Sequence, residues 1–307
     1  MKRNIFKLLS CLFVVTLLTG CAGKDSSTDT TTEKVTPTLS VEAAVPTEIA
    51  VPTEAAVVTE AATPTVTETT ISKTEIYVFI AASLSNSMAE VAQKYNEKQP
   101  NVKIIYNADS SGTLQTQIEE GAECDIFFSA AAKQMNALKD KGLVEESSIT
   151  NLLGNEVVLI KPVGGKTTVT GFDNIFEAKN LALAAESVPV GDYARQIFKK
   201  LGIWEKVQAM EINEGSNVTA VLSAISEGSN EVGVVYQTDA ESVKDLVEVI
   251  ATAPKDSLDS PVVYPAGLVI NKEADDVQKQ AAKDFLKYLS SDEALTIFES
   301  YGFTVSK

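Results

Sequence analysis

From residue 75 onward the sequence predicts an α/β fold with mostly parallel sheets. Two observations predict it: short β-rich runs alternate with amphipathic helical stretches, and about 230 residues are available to bury them. The first run, EIYVFIA at 75–81, is rich in β-branched and aromatic residues. Leu84, Met88, Val91, Ala92 and Tyr95 then recur at helical spacing. A strand at 102–107 and a helix at 113–120 follow. CDIFFS at 124–129 reads as a third strand, and 134–141 as a third helix stopped by Gly142. NEVVLIK at 155–161 and the run 181–185 are further strands. Pro189 suits the first turn of a helix running to Leu201, where its missing donor costs nothing. A helix at 218–226, a strand at 231–236 (EVGVVY) and a longer strand at 261–270 come next. Helices at 274–289 and 291–300 close the chain, with Gly302 as C-cap. Ligands in such folds bind beyond the carboxyl ends of strands, at helix amino termini.

The chain before residue 75 has a different character. Lys2, Arg3 and Lys7 precede an apolar run at 8–18, which has secretory-signal length and falls short of the roughly 20 residues of a membrane span. Leu18-Thr19-Gly20-Cys21 matches a lipoprotein signal-peptidase box, so 1–20 is expected to be removed and Cys21 to carry the acyl anchor (palmitate included). An ordinary signal peptide that happens to end in cysteine is the alternative; small residues directly after the apolar run favour lipidation. Residues 21–74 then form a tether rich in Thr, Ala, Pro and Glu, with a six-residue repeat (EAAVPT, EIAVPT, EAAVVT, EAATPT) and no aromatic residue after Cys21. Such a repeat cannot build a core, and its Ser/Thr density suits O-glycosylation. As a flexible coil it spans roughly 40 Å. The expected location is therefore extracytoplasmic, anchored to the cell membrane.

Composition removes several function classes. Residues 75–307 carry 34 acidic and 20 basic side chains, a charge of −14 that disfavours nucleic acid and anionic lipid. Histidine is absent, which removes histidine-based triads and nearly all zinc enzymes. Of the three cysteines only Cys124 lies in the folded part, so no internal disulfide is possible there, and its flanks predict a buried, inert thiol.

Four junctions leading into helices offer free N–H groups and a serine hydroxyl: AASL at 81–84, DSSGTL at 109–114, SVPVGDYA at 187–194 and EGSNV at 214–218. A helix start attracts anions through unpaired donors and its positive dipole end. Taken singly, each reads as an ordinary N-cap. Taken together, with IYVFIAASLSNSMAEVAQKY, SSGTLQTQIEEGAECDIFFSA, SVPVGDYARQIFKKLGIWEKV, NVTAVLSAISEGSNEVGVVYQTDA and IFESYGFTV, they resemble the molybdate-binding (ModA) family of ABC transporters over essentially all of 75–307.

The resemblance implies a type II periplasmic-binding-protein fold, two α/β lobes with a hinge and a ligand cleft. Lobe 1 would hold about 75–154 and 246–307, and lobe 2 about 155–245. It implies capture of molybdate, with tungstate as a near-isostere, and delivery to an ABC permease with its ATPase, by a monomer without cofactor or catalysis. By the same resemblance Ser83 and Ser111 donate hydroxyl and amide to the oxyanion, Val190 and Val218 donate amides, and Tyr236 donates its hydroxyl. The chain departs from the family at Val190, where alanine is usual, and at Ala184-Ala185, where Asn-Pro or Asp-Pro is common. Read without the family, Tyr236 is an ordinary core tyrosine at a strand end.

A fully deprotonated tetrahedral dianion needs only donors, so neutral hydroxyls and amides suffice and the acidic charge is no obstacle. Sulfate fits the same logic and would be separated by cavity size. Phosphate retains a proton and wants an acceptor; Asp109 is the nearest, and reads as a solvated loop aspartate. A serine hydrolase using Ser83 or Ser111 is the enzymatic alternative, but neither serine sits in a G-x-S-x-G or S-x-x-K motif. A sensor or adhesin that lost its ligand would have shed these hydroxyls.

Overall fold

The computed structural model describes residues 73–306. The expected secretory segment, the Cys21 anchor and nearly all of the tether lie outside the described residues.

Strand β1 (Thr74–Ala81) leads through a 3-10 turn at Ala82–Leu84 into helix α1 (Ser85–Lys98). The next pairs are β2 (Val102–Asp109) with α2 (Ser111–Glu119), and β3 (Ile126–Phe128) with α3 (Ala132–Asp140). Strands β4 (Thr150–Asn155) and β5 (Val157–Pro162) follow with only Glu156 between them. Then come β6 (Asn180–Ala184), α4 (Pro189–Lys200), α5 (Trp204–Gln208), β7 (Glu211–Gly215) and α6 (Val218–Ser226). After β8 (Val232–Tyr236), α7 (Gln237–Ser242) and β9 (Val247–Thr252), the chain ends with β10 (Val262–Leu268), α8 (Asp276–Leu289), α9 (Asp292–Ser300) and β11 (Thr304–Val305).

These strands form two sheets, in the orders β11-β4-β10-β3-β1-β2 and β7-β6-β8-β5-β9. Both are mixed rather than mostly parallel. β1 pairs parallel with β2 and β3, and β6 with β7 and β8, while every pairing made by β4, β5 and β10 is antiparallel. The antiparallel pairings arise where the chain crosses between sheets, at 155–157 and through 253–261. The expected strand at 155–161 is thus the end of β4 plus β5, divided between the two sheets. β9 pairs with β5 in the second sheet, although the sequence boundary at 245/246 assigns it to the first lobe.

Register positions the cleft. β1 and β2 pair from Thr74↔Val102 to Ala81↔Asp109, so the turns holding Ser83 and Ser111 leave the first sheet side by side. In the second sheet Ala184 pairs with Gly215, which does the same for the approaches to α4 and α6. β1 is covered on both faces: Ile76, Val78 and Ile80 join the main core, and Phe79 joins a smaller cluster with Leu114, Phe127 and Met135. Cys124 belongs to that smaller cluster; burial pushes its thiol far up, and Sγ donates to the Ile126 carbonyl at 3.3 Å.

Candidate ligand-binding site

Ser83, Ser111, Val190, Val218 and Tyr236 all line one small cavity between the lobes. The two expected serines approach from the first sheet, and the other three residues from the second. No basic side chain lines this cavity.

The capping reading of the four junctions divides cleanly. Ser110 caps α2 by accepting from Thr113 N at 3.1 Å, and Asn217 caps α6 by accepting from Ala220 N at 3.0 Å. Capping by the neighbours leaves the first-turn amides of Ser111 and Val218 without intrahelical partners. α4 begins with Pro189 at its first position and has no side-chain cap, so the Val190 amide is also left over. Three helix starts and the turn at Ser83 converge, and their dipoles supply positive potential without a basic side chain.

The hydroxyls are arranged as donors. Ser111 is fully buried and its Oγ accepts from Ala130 N at 2.9 Å, which leaves its own proton for another acceptor. Ser83 Oγ lies 2.9 Å from Tyr264 Oη. Tyr236 is 1% exposed and lines the cavity, and its buried hydroxyl has no hydrogen-bond partner among the described residues. Burial raises the Tyr236 phenol well above its ordinary range, so it remains a neutral donor.

Asp109 is not the solvated loop residue that the sequence suggested. It ends β2, lines the cavity, and its Oδ1 accepts from Ser110 N at 2.7 Å and from Asn217 Nδ2 at 3.1 Å. The second of these bonds crosses between the lobes. Lys133 and Asp192 cross it again at 3.1 Å, and a Cβ on Gly112 would strike the Ser187 carbonyl. The lobes are therefore closed on one another, with Gly112 permitting the approach.

Arg195 is the residue that sequence reasoning missed behind the 187–194 junction. Its guanidinium is buried, donating to the Ala184 carbonyl at 2.7 Å and the Gly191 carbonyl at 2.8 Å, with Glu214 at 3.2 Å. It thereby fixes the turn where this chain has Ala184-Ala185, and Gly191 fits there because a Cβ would strike both of those alanines' carbonyls. The signal was present: Arg195 is the only arginine after Arg3. Val190 is fully buried in the main core while still lining the cavity.

Two mixed sheets closing on a donor-lined cavity define a two-lobed solute-binding protein of the type II periplasmic-binding fold. The chain belongs to the bacterial extracellular solute-binding protein family, whose model matches residues 76–304. It is 40% identical over 233 residues, 76% of this chain and 87% of the other, to a Bacillus subtilis protein named as a candidate ABC transporter substrate-binding lipoprotein, YvgL. It is 35% identical over 238 residues to the molybdate-binding protein ModA of Haemophilus influenzae, covering 75% of this chain and 90% of that one. Among solved structures, the Azotobacter vinelandii periplasmic molybdate-binding protein superposes with a TM-score of 0.65 at 20% identity, covering 76% of this chain and 100% of that one. The sulfate-binding protein SubI of Mycobacterium tuberculosis gives 0.64 at 14% identity, with 75% and 86% covered, so this fold serves more than one oxyanion. These relatives are solute-binding proteins of ABC transporters and not enzymes.

Proposed function

We propose that this protein captures molybdate, and tungstate equally, and hands it to an ABC import permease. The ligand would be held by the hydroxyls and amides of Ser83 and Ser111, the amides of Val190 and Val218, and the hydroxyl of Tyr236. The observation that carries the reading is that Tyr236, whose buried hydroxyl makes no hydrogen bond among the described residues, lines the same cavity as the three helix starts. Hydrogen bonds to a charged group contribute about 1.5–3 kcal/mol each, so roughly seven of them exceed the 8.2 kcal/mol of micromolar affinity before closure costs are subtracted. Relatedness to the ModA proteins points to the same ion.

One observation favours a second reading. Asp109 brings a carboxylate to the cavity, and a carboxylate would accept the proton of phosphate. Its Oδ1 is engaged by two donors, which leaves Oδ2 as the oxygen that would take such a proton. Calorimetric titration of the purified protein with molybdate, tungstate, sulfate and phosphate separates the readings. Molybdate and tungstate are expected to bind more tightly than sulfate and phosphate, with Ser83→Ala and Ser111→Ala each weakening molybdate by about 1.5–3 kcal/mol. A preference for phosphate, or unchanged affinity in both variants, overturns the assignment.

We also propose that the mature protein begins at a lipidated Cys21, with residues 22–74 as tether. The wild-type chain is then expected to partition into detergent, and Cys21→Ser to be released or left uncleaved. Equal partitioning of the two when both have lost residues 1–20 would refute the anchor.

A further inference from the structure

Behind Ser83 a line of hydrogen bonds reaches the cavity from the crossing strands. Donor and acceptor capacity fixes the direction of its first links. Glu156 N donates to Asn155 Oδ1 at 2.9 Å, which turns the amide nitrogen of Asn155 the other way. That nitrogen reaches Thr238 Oγ1 at 2.8 Å and Tyr264 Oη at 3.2 Å, one partner for each of its two protons. An amide NH2 can only donate, so Tyr264 Oη accepts. The phenol has a single proton, and Ser83 Oγ at 2.9 Å is the acceptor within its reach; either oxygen of this pair can donate, and we assign the proton to the phenol. Ser83 then accepts from Tyr264, and its own proton is left for the cavity it lines.

Tyr264 is held where this relay needs it. It is completely buried, edge-on to Tyr236 at 5.7 Å and to Phe303 at 5.3 Å between ring centres. The register of β10 against β4 shifts between Tyr264 and Pro265, an irregularity of the kind that re-aims a side chain. Burial also keeps the phenol protonated, so the donor is never lost to ionisation.

We propose that Tyr264 is a positioning residue for oxyanion capture: oriented by Asn155, it donates to Ser83 and commits the serine hydroxyl to donate into the cavity. The inference rests on the reading of the cavity as an oxyanion site. Without Tyr264, Ser83 is free to rotate and to present a lone pair to the anion, which is repulsive. A serine free to accept also favours a protonated ligand, so Tyr264 contributes to selection of the fully deprotonated ion.

A double-mutant cycle tests this, with molybdate as titrant and calorimetric affinity as readout. Tyr264→Phe is expected to weaken molybdate about tenfold in the otherwise unchanged protein, and less than about twofold in the Ser83→Ala background. The ratio of molybdate to phosphate affinity should fall in Tyr264→Phe as well. Equal losses in both backgrounds would mean that Tyr264 acts through packing, and would overturn the relay. Unchanged affinity in Ser83→Ala would overturn the relay, and unchanged affinity in Ser111→Ala as well would strike down the oxyanion reading of the cavity. If Tyr264→Phe fails to fold, Asn155→Ala is carried through the same cycle, with the loss again expected to vanish beside Ser83→Ala and an additive loss again overturning the relay.

Discussion

Tyr236→Phe separates binding from stability with one atom. The hydroxyl sits unpaired in the closed protein, and an unsatisfied buried polar group costs about 1–3 kcal/mol. Its ring remains useful, packed edge-on to Tyr264 within the main core, and phenylalanine preserves that contact. The variant should therefore fold at least as well as the parent when no ligand is present. For a protein of this size 1 kcal/mol moves the midpoint by about 2–4 °C, so a rise of a few degrees is the upper expectation. Water reaching the hydroxyl in an opened form reduces that rise toward zero. Binding should move the other way, because the lost bond to a dianion is worth about 1.5–3 kcal/mol, a tenfold to hundredfold weaker Kd. Thermal melts with and without saturating molybdate show both effects at once: the two midpoint curves should cross, with the variant ahead when empty and the parent ahead when loaded. A variant that melts several degrees lower when empty and keeps its affinity would refute the reasoning, since the tyrosine would then be structural.

Gly112→Ala places a methyl group against the Ser187 carbonyl across the cleft, while improving helix propensity in the first turn of α2 by up to about 1 kcal/mol. Molybdate affinity should fall at least tenfold with no loss of thermal stability; retained affinity would mean that the lobes close without that contact. Asp239 supplies a pH signature, because burial raises its carboxyl from 3.8 to about 7, against the lowering effect of the bond from Tyr236 N. The folded protein then keeps a proton that the unfolded chain releases, so this contribution to stability is complete below about pH 4 and is lost as pH rises through about 7. Asp239→Asn should remove that decline, seen as a flatter denaturation midpoint between pH 5 and about 8 relative to the parent; identical profiles would sink it.

The strands and helices of the interior were legible because burial imposes a pattern on sequence. β1, β3 and β8 are covered closely enough that their apolar runs stand out, and α1, α4 and α6 carry one apolar face each. The edge strands were harder. β7 reads EINEG and is largely exposed, so it has no apolar run; β9 does alternate (VEVIAT), but only half of it is covered, and Glu248 pairs with Lys161. Sheet polarity was misjudged because a strand-helix alternation says nothing about strands that cross between lobes. The five expected site residues do meet, since four of them lie at helix starts that register brings together. Tyr264, Asn155 and the role of Asp109 were invisible for the opposite reason: the partners that matter are 83 to 181 positions away in the chain, and no local motif marks them.

The nesting of one sheet inside the other in chain order has a consequence for biogenesis. Strands 157–252 form the second sheet without interruption, so that half can finish as soon as residue 252 has emerged during synthesis or export. The other half starts first and ends last: β3 keeps one edge open until β10 arrives, and β4 has no outer neighbour until Thr304–Val305. The interval is hazardous, because all three β3 residues are apolar and an uncovered edge of that kind recruits other chains. Truncation of the last few residues should therefore be felt first as a failure to mature rather than as a weaker grip on the ion.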